Sequence, residues 1–331
     1  MRALLLLNLL LVGLMAHAQP PSPANQTDAQ GRKQGTWSKT WPNGKVRYTG
    51  QFTNDKPTGT FRHYTEDGQL ATEQVYAADG RTSRATHYHP NGAVMARGKY
   101  VLQEKDSTWN YFSERGHQKS VEHYVKGALT GERLVYYESG QVAERATFKD
   151  GVQAGPWKQY FPSGQLKAEA NYINGEPEGT MTWYYPSGKK EIEGQVVNGE
   201  REGTWLYFNE DGSVQIQVIY ERGAFIRERR MNGVFKEYYD DEQVKEEVTY
   251  KNGEKHGPFT EYHANGKWAM RTVPPDVERG YPADQERVLQ GQTKKREGTY
   301  KNGQLEGEVK EYDEKGKLVR KLAFVNGMEQ R

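Results

Sequence analysis

Aromatic residues recur along this chain at a fixed distance, and that recurrence predicts its elements. One column runs through Tyr64, Tyr88, Phe112, Tyr136, Tyr160, Tyr184 and Phe208 at steps of 24 residues, and resumes at Tyr238, Tyr262 and Tyr312. A second holds Phe52, Tyr76, Tyr100, Tyr124, Phe148, Tyr172, Val196, Tyr220, Tyr250, Tyr300 and Phe324. Between them lies an aliphatic column of Val46, Leu70, Val94, Val142, Leu166, Val214, Val244 and Leu318. These three are expected to form the buried face. The second and third stand six positions apart, an even number that puts them on one side of a strand. A fourth column, Trp37, Phe61, Trp109, Trp157, Trp205, Phe235 and Phe259, stands three before the first. That odd offset places it on the opposite face, unless a bulge brings it round.

Polar punctuation separates the columns. Gly44, Gly68, Gly92, Gly116, Gly140, Gly164, Gly188 and Gly212 keep the 24-residue step, often behind proline, as in Pro162-Ser163-Gly164. Proline pre-sets the first turn position and glycine accepts the left-handed one, so each site predicts a type I turn with a glycine bulge. A second turn, often Asn-Gly as at Asn174-Gly175 and Asn198-Gly199, closes each unit. Each unit is therefore a β-hairpin. The predicted fold class is all-β: an elongated antiparallel meander of stacked hairpins, a β-solenoid in a single twisted sheet. Eleven units are expected across 35–331, starting near residues 35, 59, 83, 107, 131, 155, 179, 203, 233, 257 and 307. The step breaks twice, at insertions near 224–232 and 267–297, carrying Arg227, Arg229 and Arg230 in the first and Pro274, Pro275 and Pro282 in the second. Insertions in solenoids map to loops and often mark the binding side, while long surface loops are also tolerated at little cost.

The unit Gly155-Pro156-Trp157, Tyr160, Gly164, followed by Tyr172 and Gly175, resembles the variant MORN repeat of bacterial proteins described as antitoxin-like. The resemblance covers roughly residues 31 to 331 and is specific through repetition. It implies stacked hairpins serving as a scaffold or interaction module, in some cases at membranes, and it carries no catalytic motif. The antitoxin description implies neutralising a partner by binding.

Composition sharpens this picture. Mean hydropathy is −0.99, and only 34% of residues are hydrophobic, so a thick core is not expected. Yet 22 Tyr, 10 Phe and 7 Trp set the chain apart from disordered sequences. Arg2, the apolar stretch Leu4 to Met15 and Ala16-His17-Ala18 read as a cleaved export signal spanning 1–18, with 19–34 as a polar linker. Periplasmic or extracellular localisation is expected. With no cysteine there is no disulfide, thiolate site or lipid-modified N-terminal cysteine. Forty-six basic and 44 acidic residues are interspersed, without the footprint of a nucleic-acid binder.

Candidate chemistry is thin. His87 and His89 form H-x-H on one predicted strand face, with His63 one period earlier, but no further ligand stands near and no metal or cofactor is expected. Glu246-Glu247 and Asp240-Asp241 are adjacent pairs whose members point apart on a strand. No nucleophile elbow, phosphate loop or dinucleotide fingerprint occurs, so no catalytic residue is assigned and the chain is read as a non-enzyme. The tryptophans Trp37, Trp41, Trp109, Trp157, Trp183 and Trp205 either pack on one another or offer a row of rings to glycans. Protein partners are expected first, through an exported scaffold. A glycan-binding module and an immunity-type binder are the alternatives. Membrane association stays open, and no ligand-contacting residue is singled out.

Overall fold

The computed structural model describes residues 24–274 and 283–330, so the expected leader and the first residues of the 19–34 stretch lie outside it. Every described element is a strand. The chain divides into two compact units, one ending at Thr130 and the other beginning at Gly131. In the first, an antiparallel meander runs from Lys33–Thr40 through Val46–Thr53 and Lys56–Tyr64 to Gln118–Val125, each strand pairing with its neighbours in sequence. The second repeats the pattern from Gly131–Tyr136 to Ala224–Arg230, and again from Gly233–Tyr238 to Met328–Gln330.

Both turn types follow from sequence. The Gly44 N–H donates to the Trp41 carbonyl at 2.9 Å, and the Trp41 N–H to the Lys45 carbonyl at 2.8 Å. Gly44 has φ +84°, which completes a type I turn with a glycine bulge. At the other end Asn174 and Gly175 have φ 54° and 89°, the pair of left-handed residues that a type I′ hairpin requires.

The face assignment is corrected by a bulge. His63 pairs with Thr72, but Tyr64 pairs with Leu70, so Ala71 is an extra residue. The same slip recurs at Lys39/Thr40, Tyr111/Phe112, Gln159/Tyr160 and Tyr207/Phe208. One extra residue reverses the alternation of faces. Leu70 and the aliphatic column therefore join the Tyr64 column on one face. The second and fourth columns share the other, and that face holds the core. Trp109 and Trp205 are 1% and 0% exposed, while no residue of the Tyr64 column is buried and Tyr238 is 57% exposed.

A second irregularity seats the large rings. Arg97 pairs with Asn110 and Lys99 with Asp106, so Gly98 stands opposite a strand carrying two extra residues. The Trp109 indole lies against Gly98, where a Cβ would fall inside the ring. Its N–H donates to the Lys99 carbonyl at 3.1 Å, which removes the cost of burying an unpaired donor. Gly194 seats Trp205 in the same way, and the Trp205 N–H meets the Gln195 carbonyl at 3.1 Å.

The insertions and the proposed linker are ordered where described. Gln26–Thr27 pairs with Gln34 and Lys33, so part of the 19–34 stretch is a strand capping the first hairpin rather than a linker. Within the second insertion, Lys267–Val273 pairs with Asp284–Gln290 as a separate two-stranded sheet. Lys294, Arg296 and Glu297, expected inside that insertion, belong to an array strand and pair with Tyr262, Glu261 and Thr260.

Candidate functional site

Among the described residues no single cleft gathers the chemistry. The functional groups are carried in rows, set by the repeat, on two faces and one edge of the hairpins.

On the core face cations cover the rings. Lys105 Nζ lies 5.0 Å from both the Trp109 and Tyr124 ring centroids and donates to the Tyr111 hydroxyl at 2.6 Å. Arg201 lies 4.4 Å over Trp205 and reaches the Tyr220 hydroxyl at 3.0 Å, while Lys33 sits 4.9 Å over Trp37. These positions recur because each lies four residues before its tryptophan. A cation over a ring face is attractive, and more so where water is excluded. The buried Trp109 and Trp205 thus have both ring faces occupied, and among the described residues the tryptophan column forms no exposed row.

The opposite face carries rungs of ion pairs across neighbouring strands: Arg62–Glu73 at 2.8 Å, Lys158–Glu169 at 3.3 Å and Lys236–Glu247 at 2.7 Å. Tyrosines of the Tyr64 column join them. The Tyr184 hydroxyl donates to Glu169 at 2.7 Å, and burial, then that carboxylate, push its pKa up to about 12. Glu246 faces Lys255 at 3.5 Å, so the two carboxylates of Glu246-Glu247 have different partners. Asp241 accepts from the Gln243 side chain at 2.6 Å within its turn. Neither acidic pair converges on a common point.

The histidines separate. His87 lies on the core face, stacked 5.8 Å from Trp109, with Nδ1 hydrogen-bonded to Thr72 at 2.9 Å. His89 falls beyond the bulge, in the turn, so the two do not share a strand face as the H-x-H pattern suggested. Ala85 stands at the position that carries a ring, Phe61 and Trp109, in the two neighbouring repeats, and His63, Tyr76, His87 and Tyr100 line a shallow hollow on this face. Burial lowers both imidazole pKa values first, aided by Arg47 at His63 and by Lys105 at His87. Both therefore stay neutral at neutral pH.

Sequence reasoning missed the turn edge. The residue after each Tyr64-column position often sends a side-chain hydrogen bond to the next repeat's carbonyl. The Tyr137 and Tyr185 hydroxyls donate to the Tyr160 and Phe208 carbonyls at 2.6 Å, and Trp41 Nε1 to the Tyr64 carbonyl at 3.1 Å. His89 Nε2 reaches the Phe112 carbonyl at 3.0 Å, and His263 Nε2 spans the second insertion to the Tyr312 carbonyl at 3.1 Å. A polar-tipped ring at that position was the available signal. The second insertion is anchored at the same edge. Glu242 takes the left-handed place of the missing turn glycine at φ 69° and binds Arg287 at 2.8 Å. Arg287 in turn covers Trp268 at 4.2 Å, and the Trp268 N–H donates to the Asp241 carbonyl at 3.0 Å.

The family model for the MORN repeat variant matches residues 57–78, 129–150, 153–174, 177–198, 201–222, 231–252 and 305–326. No curated protein matches the chain. Among solved structures, the crystal structure of TcdB2-TccC3-TEV is 11% identical with a TM-score of 0.19, covering 92% of this chain and 17% of that one. A second, the Photorhabdus luminescens Tc holotoxin pore with a TccC3 mutation, is 11% identical with a TM-score of 0.18, covering 91% and 17%. The chain thus spans less than a fifth of the length of those chains. The seven repeat matches fall on the hairpins whose columns, turns and bulges recur in register, and on that ground the chain belongs to the MORN repeat variant family.

Proposed function

We propose that this chain is an exported, non-catalytic scaffold that binds a protein partner along its repeats. MORN repeats are in general modules that bind proteins or membranes. The observation that carries it is the distribution of polar chemistry. Cations over rings on one face and ion pairs on the other recur unit by unit, and the described residues bring no set of reactive groups to one point. Such rows suit recognition spread over several repeats, with affinity summed from modest contacts. Export is supported by Arg2, the apolar stretch that follows and the Ala16-His17-Ala18 site. An immunity-type role would be the same physical act directed at a toxin. The glycan alternative loses its main support, because it needs an exposed ladder of rings and Trp109 and Trp205 are buried.

Two measurements test the proposal. Expression of the full chain in a secreting host, followed by mass analysis of the exported fraction, should give a species beginning at Gln19; retention of residues 1–18 in the cytoplasm would count against export. Crosslinking mass spectrometry on the chain in its own cells should place partner crosslinks on several successive repeats. Crosslinks confined to one repeat would contradict distributed recognition.

A further inference from the structure

We propose that the free outer edge of the strand Ala224–Arg230 takes up an extended, acidic segment of a partner protein as an added β-strand. In a regular unit such a strand lies between two others: Glu200–Phe208 pairs with Lys190–Val197 on one side and Val214–Glu221 on the other. Ala224–Arg230 is different. It pairs with Val214–Glu221 along its length, from Ala224 opposite Glu221 to Arg230 opposite Ile216. Among the described residues no strand pairs with its other side, because Val244–Lys251 is taken by Gly233–Tyr238. The six residues added to this unit cause the break, since pairing with Val214–Glu221 is completed before Gly233 begins.

The break is built rather than frayed. The Met231 N–H donates to the Gln215 carbonyl at 2.7 Å, and Asn232 Nδ2 to the Val214 carbonyl at 2.7 Å. On the far side the Gly253 N–H donates to the Met231 carbonyl at 2.9 Å, and the Asn252 N–H to Asn232 Oδ1 at 3.0 Å. An open row of backbone donors and acceptors is a template for another strand and is normally short or covered. Here it is flanked by Phe225 and Ile226, 58% and 50% exposed.

Charge selects the occupant. Residues 222–230 carry four arginines and one glutamate. Arg230 is engaged by Glu237 at 3.0 Å. Arg227 and Arg229 stand opposite Ile219 and Gln217, so both lie on one face, beside a hollow those residues line with Glu228. A strand added at this edge brings alternate side chains next to the two guanidiniums, and carboxylates at those positions are complementary. A second copy of this chain fits worse, since antiparallel pairing of two such edges sets Arg227 against Arg227. This inference rests on the protein-binding reading and adds the docking edge and the chemistry of the partner segment.

The test uses the full chain and a fluorescent peptide of alternating glutamate and valine, followed by anisotropy. We expect saturable binding that weakens about tenfold or more when alternate peptide amides are N-methylated, which removes strand hydrogen bonds and keeps the charge. A lysine–valine peptide should not bind, and the variant Arg227→Glu with Arg229→Glu should reverse that preference. Deleting residues 224–229 restores the 24-residue step and should abolish binding. If thermal melting shows that this deletion does not fold, the N-methylated peptide and the charge reversal still decide. Equal binding of the N-methylated peptide, binding that survives in a folded deletion variant, or no binding overturns the proposal. So does a dimer of the chain that disappears on deletion, because it would make a second copy the occupant. None of these outcomes touches the crosslinking test of the scaffold itself.

Discussion

Gly194 and Trp205 show how much a single position decides. The ring fills the space a Cβ would need, and its N–H caps the carbonyl next to the glycine. Gly194→Ala should destabilise the chain by about 1–3 kcal/mol, the cost of overpacking a core. Trp205→Ala should cost about 3–5 kcal/mol by leaving a cavity. Urea unfolding of both variants checks the order, and a neutral Gly194→Ala would remove the close-seating argument. His63 and His87 supply a pH test. Their folded-state pKa values lie below the ordinary 6.5, chiefly through burial. On acidification the unfolded chain takes up protons first, so their contribution is intact above pH 6.5 and is lost as pH falls through the folded values. The urea midpoint should therefore drop between about pH 7.5 and 5.5, and less so in the variant His63→Gln with His87→Gln. An equal drop in that variant would show that other groups carry it. The sequence pattern marked both histidines and tryptophans, but not their roles, because neighbours from other strands determine burial.

At the scale of elements, the turns were legible and the faces were not. Pro-x-Gly and Asn-Gly specify φ values that few other residues accept, so each turn follows from local chemistry. Face assignment by parity failed because one extra residue per hairpin, Ala71 in the second, shifts every position behind it. Bulges of this kind leave little trace in composition, since their residues are ordinary. The second insertion, read from the break in spacing as a loop, is a hairpin anchored through Trp268, Arg287 and Glu242. Trp268→Ala should raise hydrogen exchange across Lys267–Val273 and Asp284–Gln290 while leaving the array strands protected. Spread of the exchange into Glu254–Tyr262 would show that the hairpin and the array form one cooperative element.

At the scale of the molecule, each hairpin depends on its neighbours in sequence, and stability is approximately a sum over units and their interfaces. Removing residues 155–178, one complete repeat, should therefore leave a folded chain with a melting temperature lowered by a few degrees. Collapse of the whole chain would show a cooperativity the repeat pattern does not imply. The sequence by itself determined the period, the turns, the all-β class and the family, because these rest on local backbone preferences repeated until chance is excluded. Only the tertiary structure decided which columns face the core and which glycines seat a ring. It also showed that Ala224–Arg230 keeps an open edge. The physical reason is the same in each case: pairing register is a relation between strands, so a single-residue slip exchanges faces and a six-residue insertion leaves an edge unpaired.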